Sequence, residues 1–241
     1  MKKILVLLSS LAIFANAHFL MMTPSTDNVT SKKQANIEIK SMFIHPFEQN
    51  GMQMVKPVGI YVNSTKNPLP LKSFTKFDHQ AWKTNYKIKK PGVYKFFTVP
   101  QPYFEPAEAK FISHVPKVIV SAYGLEEGWD EPIGLKYEIV PMSKPFGLYA
   151  GNIFTGKVLH NGKPAANVEV EVELYNGFKL KAPTDSHITQ VVKTDENGNF
   201  SFVMNHKGWW GFAALIEEGT KMHEGKEYPI ENGALLWIKA Y

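Results

Sequence analysis

The sequence predicts an all-β protein made of two antiparallel β-sandwich domains. Short runs in which apolar and polar residues alternate recur along its 241 positions, and Gly, Pro, Asn and Asp separate them. Alternation with a period of two is typical of strands with one buried face. Runs with the 3.6-residue period of a helix are hard to find, so the predicted fold class contains little helix.

The predicted strands of the first half are short and bounded by turn residues. In 35–43, Ile37 and Ile39 alternate with polar residues. Pro-Gly at 91–92 favours a turn between two extended runs. The predicted strands of this half cover 35–43, 58–62, 92–99 and 117–122, with a strand, a turn and a strand over 85–94.

The second half begins after a segment bracketed by prolines, 141–145. Residues 168–175 alternate strictly between apolar residues and glutamates, and Asn-Gly at 161–162 supplies the positive φ that tight hairpins need. The predicted strands of this half cover 150–159, 168–175, 189–194, 200–204, 209–215 and 234–238. We therefore expect an N-terminal sandwich over 18–145 that carries a metal site, and a C-terminal sandwich over 146–241.

The composition excludes several classes of function. All 27 basic residues are lysine, and nucleic-acid readers favour the bidentate guanidinium of arginine, so no nucleic-acid partner is expected. The absence of cysteine excludes disulfides, thiolate metal sites and a cysteine nucleophile. No Gly-x-Ser-x-Gly motif occurs, and hydrolase chemistry has little other support, although a copper oxygenase that begins at a histidine stays conceivable.

Residues 1–17 have the pattern of a secretory signal. Lys2 and Lys3 precede an apolar run over 4–14, and Ala-Asn-Ala at 15–17 has the small-x-small form of a cleavage site. The apolar run is too short to cross a bilayer comfortably, and no later stretch qualifies as a membrane helix. We expect export to a bacterial periplasm, no stable membrane insertion, and a mature chain that begins at His18.

An N-terminal His18 would offer two nitrogens to one metal ion, its α-amine and its imidazole Nδ1. Their reference pKa values of about 7.7–8.0 and 6.5 mean that both lose protons readily near neutrality. Imidazole suits nickel, copper, zinc and cobalt, whereas thioether sulfur favours Cu(I). The alternative explanation is chance, which places a histidine directly after a cleavage site a few per cent of the time.

Further candidate ligands lie in the first half. His45 follows a predicted strand and precedes Pro46, and His114 precedes the strand over 117–122. Glu105 and Glu108 lie near a Tyr-Phe pair. Each carboxylate is a candidate either to bind the metal or to orient an imidazole that does. Each histidine also has an ordinary structural interpretation, and a Met-x-Met pair is more often core packing. The predicted metal-site residues are His18, His45, His114, Glu48, Glu105, Met52 and Met54.

Several motifs together resemble the DUF4198 family, in order along the whole mature chain. They include Ala-His-Phe-Leu-Met-Met-Thr-Pro-Ser at 17–25, His-Pro-Phe-Glu at 45–48, Pro-Tyr-Phe-Glu-Pro-Ala-Glu at 102–108, Lys-Phe-Ile-Ser-His at 110–114 and Gly-Trp-Trp-Gly-Phe-Ala-Ala at 208–214. Within the family, the chain resembles the additional periplasmic component of energy-coupling-factor nickel transporters. Its second half is similar to carboxypeptidase-regulatory-like, transthyretin-like sandwiches.

The resemblance implies a nickel-handling protein that meets a membrane permease, rather than an enzyme. The family pattern falls on His18, His45 and His114, so Ni(II) held by these three is the leading hypothesis. A copper-binding or copper-redox protein is the first alternative, because of the N-terminal histidine and the Met-x-Met pair. A structural or adhesion module without metal is the second.

Overall fold

The computed structural model describes residues 18–241 and confirms an all-β fold. The predicted signal at 1–17 lies outside the described residues. Within 18–241, no helix is long and apolar enough to cross a membrane. The strands are β1 (Phe19–Pro24), β2 (Asn28–Val29), β3 (Asn36–His45), β4 (Asn50–Met52), β5 (Ile60–Val62), β6 (Lys72–Lys76), β7 (His79–Lys87), β8 (Gly92–Thr98), β9 (Tyr103–Glu105), β10 (Lys110–Ala122), β11 (Tyr137–Pro141), β12 (Ile153–His160), β13 (Lys163–Pro164), β14 (Glu169–Leu174), β15 (Gln190–Lys193), β16 (Asn199–Val203), β17 (Gly208–His223) and β18 (Lys226–Ala240), with 3₁₀ turns at Lys32–Gln34 and Asp185–His187.

These strands form three sheets in the described part of the chain. The first has the order β1-β3-β7-β6 with β4 added on β3, and the third joins β11, β12, β13 and β16. The central sheet is nine-stranded, with the order β15-β14-β17-β18-β10-β8-β5 and with β2 and β9 also paired to β10. All pairings in the outer two sheets are antiparallel.

The central sheet separates two hydrophobic cores. Along β18, Leu235 and Trp237 belong to the first core, while Leu236 and Ile238 belong to the second. Successive side chains of a strand point to opposite faces, so both faces of this strand are buried. This explains why 234–238 is a continuous apolar run and not an alternating one.

The two halves of the sequence meet in this central sheet. Strand β10 of the first half pairs with β18 of the second, and the pairing is parallel. The expected sheets were antiparallel. A parallel pair between strands so distant in sequence leaves no turn motif between them, so local patterns do not reveal it. The division near 141–145 stays a prediction, and here the chain passes from β11 toward β12.

The strand, turn and strand predicted over 85–94 do not form a hairpin. The two strands exist, as β7 and β8, but β7 lies in the first sheet and β8 in the central sheet. The Pro-Gly turn therefore carries the chain across the first core from one layer to the other.

Trp237 anchors β1 on the central sheet. Its indole N–H donates to the carbonyl oxygen of Leu20 at 3.1 Å, and its ring meets that of Phe19 edge-on. Both side chains are buried in the first core. This contact places the start of β1, and with it His18, against the central sheet.

Candidate metal centre

Two of the predicted ligands are brought together by strand register. Phe19 of β1 lies opposite Ile44 of β3, so His18 and His45 occupy the adjoining positions at one end of this pair. Their ring centroids are 4.8 Å apart, and the ring of Phe43 lies 5.8 Å from that of His18. The ends of β1 and β3 thus present two imidazoles side by side.

Two carboxylates face the nitrogens of His18. Nε2 lies 3.2 Å from Glu105 Oε2, and Nδ1 lies 3.7 Å from Glu108 Oε1. Burial, together with the nearby His45 and His114, lowers the pKa of His18 to about 3. The imidazole is therefore neutral at physiological pH and keeps a nitrogen lone pair, which is the form that binds metal ions.

The third predicted histidine lies in a separate but adjacent network. His114 is 3% exposed on β10, and its Nε2 lies 3.3 Å from Glu231 Oε1. Its other ring nitrogen, Nδ1, is buried with no hydrogen-bond partner among the described residues. His114 faces Gly233 on β18, where a Cβ would come within 2.4 Å of the imidazole Cδ2. The ring therefore depends on a glycine at that position.

Lys110 joins the two sets of contacts. Its Nζ lies 2.6 Å from Glu108 Oε2 and 2.5 Å from Glu231 Oε2. Burial opposes both charged forms, but the pairing prevails: the carboxylates raise the pKa of Lys110, and His114 with Lys110 lowers that of Glu231 to about 2. The lysine is a positive charge inside the candidate site.

The remaining predicted site residues are less closely associated with the imidazoles. Glu48 Oε2 is 4.0 Å from His45 Nδ1, and its side chain is 38% exposed. Met52 lies opposite Phe43 and packs against the first core. The buried Met54 is also in that core, although it shares the wall of a cavity of about 30 Å³ with His114. Both thioethers thus have a packing role.

Sequence reasoning missed Lys110 and Glu231, and it placed no role on the glutamates of β14. Glu231 reaches the site only through the parallel β10–β18 pairing, for which the sequence carries no local signal. Burial raises the pKa of Glu171 to about 7 and that of Glu173 to about 8. The strict alternation of 168–175 indicated one glutamate face, and the distant strands that cover this face decided its burial.

The groups do not form a closed metal cage. Over residues 18–241, no three or more His, Asp or Glu side chains are gathered in a preformed metal-binding arrangement. The imidazoles are instead engaged with carboxylates. The carboxylates of Glu108 and Glu231 are in turn paired with Lys110. Chemically, the cluster offers imidazole nitrogens and carboxylate oxygens that an ion could take over.

Most of the sequence matches a family model. A family model described as "Domain of unknown function (DUF4198)" matches residues 15–218. No curated protein matches the chain. Among solved structures, the D0-D1 domain of Intimin is similar at 15% identity, with 93% of this chain and 100% of that one covered and a TM-score of 0.27. Dimeric latent PorU from Porphyromonas gingivalis is similar at 11% identity, with 97% and 21% covered and a TM-score of 0.25.

Proposed function

The chain belongs to the DUF4198 family, and we propose that it captures Ni(II) in the periplasm and passes the ion to a membrane nickel transporter. The observation that carries this proposal is the neutral imidazole of His18, held beside His45 and two carboxylates. Nitrogen and oxygen donors of this kind suit divalent ions of the nickel type. The resemblance to the periplasmic component of energy-coupling-factor nickel transporters supports the choice of nickel and of a permease as partner.

The contacts suggest different roles for the two carboxylates at His18. In a six-membered chelate ring the α-amine and Nδ1 of His18 bind the same ion, and Nδ1 is the nitrogen that faces Glu108. Two ligands bound at about 2.1 Å are separated by roughly 3.0–3.7 Å for ordinary coordination angles, which includes the observed 3.7 Å. Glu108 is therefore the better candidate ligand. Glu105 at Nε2 then orients the ring, as carboxylates do for many metal-bound histidines.

Capture and release fit this cluster better than storage. A bound ion would replace the contacts of Glu108 and Glu231 with Lys110, so part of the binding free energy is lost in breaking those contacts. An exchangeable site is what a delivery protein requires. We therefore propose that the protein binds and delivers the ion, and not that it is an enzyme.

The copper alternative depends on the Met-x-Met pair. Met52 and Met54 both pack against the first core, and the hydroxyl of Ser41 donates to the Met54 sulfur at 3.9 Å. Because these thioethers already have a structural role, we place nickel before copper. A scaffold without metal is the other alternative, and the titration below separates all three.

The test is calorimetric titration of Ni(II) into protein whose N-terminus is shown by mass spectrometry to be His18. A version with one extra residue before His18 tests the α-amine, and His187→Ala controls for loss of a histidine outside the cluster. We expect one-to-one binding that the extension weakens about a hundredfold or more and the control leaves unchanged. Equal binding by the extended protein moves the site away from His18. No Ni(II) binding, or a strong preference for Cu(I), overturns the proposal.

A further inference from the structure

Lys110 occupies the centre of a chain of charged contacts. Its ammonium lies between Glu108 and Glu231, and each of these carboxylates turns its other oxygen to a histidine. Glu108 faces His18 at 3.7 Å, and Glu231 faces His114 at 3.3 Å. One lysine thus connects the two histidine positions of the candidate centre.

Lys110, Glu108 and Glu231 are shielded from water, so their charges act on one another strongly. Exposed fractions are 18% for Lys110, 20% for Glu108 and 12% for Glu231. Screening by solvent is weak at such positions, and a fixed charge changes the binding of another ion by more than it would at the surface.

A cleft borders Glu231, at one end of this set of contacts. A cleft of about 450 Å³ is lined by Glu231 together with Glu169, Glu217 and Lys193. An incoming cation therefore meets the carboxylate that Lys110 holds, and the flexible lysine stem allows the ammonium to withdraw.

We propose that Lys110 is an internal competitor of the metal ion, which holds Glu108 and Glu231 until a divalent cation replaces it and so keeps binding reversible. This inference rests on the proposed function and names a specificity-determining residue for it. Lys110 is not a metal ligand in this scheme. Its charge sets the affinity, because binding requires that the ammonium be displaced.

The direction of the effect separates this role from a structural one. Loss of a residue that only supports the site weakens metal binding, whereas loss of a competitor strengthens it. Lys110→Gln removes the charge and keeps an N–H donor for one carboxylate. We expect it to tighten Ni(II) binding about tenfold or more, mainly through slower release.

Two controls accompany this variant. Lys110→Arg keeps the charge and is expected to bind Ni(II) within a few-fold of the unmodified protein. Lys144→Gln removes a lysine that pairs with Glu126 outside the cluster, and it is expected to change nothing. Equal or weaker binding by Lys110→Gln, beside normal binding by the unmodified protein, overturns the inference alone. No binding by the unmodified protein overturns the proposed function, and this inference with it.

A measurement on the unmodified protein covers the case in which Lys110→Gln does not fold. The ammonium signals of ¹⁵N-labelled lysine are recorded by NMR while Zn(II) is added as a diamagnetic probe. Release of Lys110 from its carboxylates is expected to shift or remove its ammonium signal at one equivalent of metal. A signal that persists unchanged at saturation contradicts the displacement.

Discussion

Strand β10 carries two lysines in ion pairs, the partly buried Lys110 and the buried Lys117, and their surroundings differ. Lys117 lies 2.5 Å from Glu138, and both side chains are almost fully buried. The carboxylate of Glu138 also accepts backbone N–H groups of Ile133, Gly134 and Leu135. Lys110 instead pairs with two carboxylates that each leave one oxygen facing an imidazole. An ion pair whose carboxylate is also held by backbone N–H groups is structural, whereas one whose carboxylates are shared with imidazoles is able to exchange partners.

The largest expected effect comes from breaking the ion pair between Lys117 and Glu138. Lys117→Met leaves the Glu138 carboxylate buried without its cation and is expected to destabilise the fold by about 3–5 kcal/mol. Lys110→Met is expected to cost less, about 1–2 kcal/mol, because Lys110 and its two carboxylate partners are only partly buried. Urea unfolding of both variants measures the difference. Equal losses contradict the distinction drawn between the two lysines.

The buried carboxyl of Glu173 provides the next test. Glu173 is 2% exposed, and it accepts hydrogen bonds from the Thr189 hydroxyl and the Phe47 N–H. Burial raises its pKa to about 8, above the value of 4.5 in an unfolded chain. Between these values the folded protein holds a proton that the unfolded chain releases, so this group lowers stability progressively as the pH rises.

Glu173→Gln removes the ionisation and serves both partners, because its amide oxygen accepts from the Phe47 N–H and its amide N–H donates to the Thr189 hydroxyl. It is expected to stabilise the protein by about 2–4 kcal/mol at pH 8 and by nearly nothing at pH 4. Thermal unfolding of the variant and the unmodified protein across this range measures the gain. A gain that does not depend on pH refutes the assigned cause.

A third change acts on the packing of the His114 imidazole. Gly233→Ala places a methyl group where the ring of His114 lies, with 2.4 Å between the new Cβ and Cδ2. We expect a loss of about 1–3 kcal/mol in stability, because strand and ring must both shift. Restoration by His114→Ala in the same chain, followed by chemical denaturation, is the check. A double variant no more stable than Gly233→Ala contradicts this packing.

The smallest expected effect concerns the orientation of His18. Glu105→Gln retains the shape of the side chain that faces Nε2 but removes its charge. Weakening of Ni(II) binding by about tenfold is expected, as for other carboxylates that orient metal-bound histidines. Glu126→Gln, on an exposed ion pair, is the matched control for charge. An undiminished affinity removes Glu105 from the site.

Local patterns predicted more of the fold than of the site. The alternation around Ile37 and Ile39 correctly indicated β3, and the position of His45 at its end followed from Pro46. That His18 lies beside it depends on the antiparallel pairing of β1 and β3, which neighbouring residues do not encode. Glu231 was beyond reach, because it comes to His114 through a parallel pair of strands more than a hundred residues apart. Site geometry depends on long-range pairing, which a single sequence does not reveal.

The position of β18 has a consequence for the order of assembly. This strand lies between β10 and β17 in the central sheet, and its side chains close both cores. Neither core is complete until residues 226–240 are present, and contacts over such long separations form slowly. If the chain is exported as proposed, it remains unfolded while most of its length emerges. Glu231 then joins the candidate centre only at the end, so a partly translocated chain has no complete centre with which to bind metal.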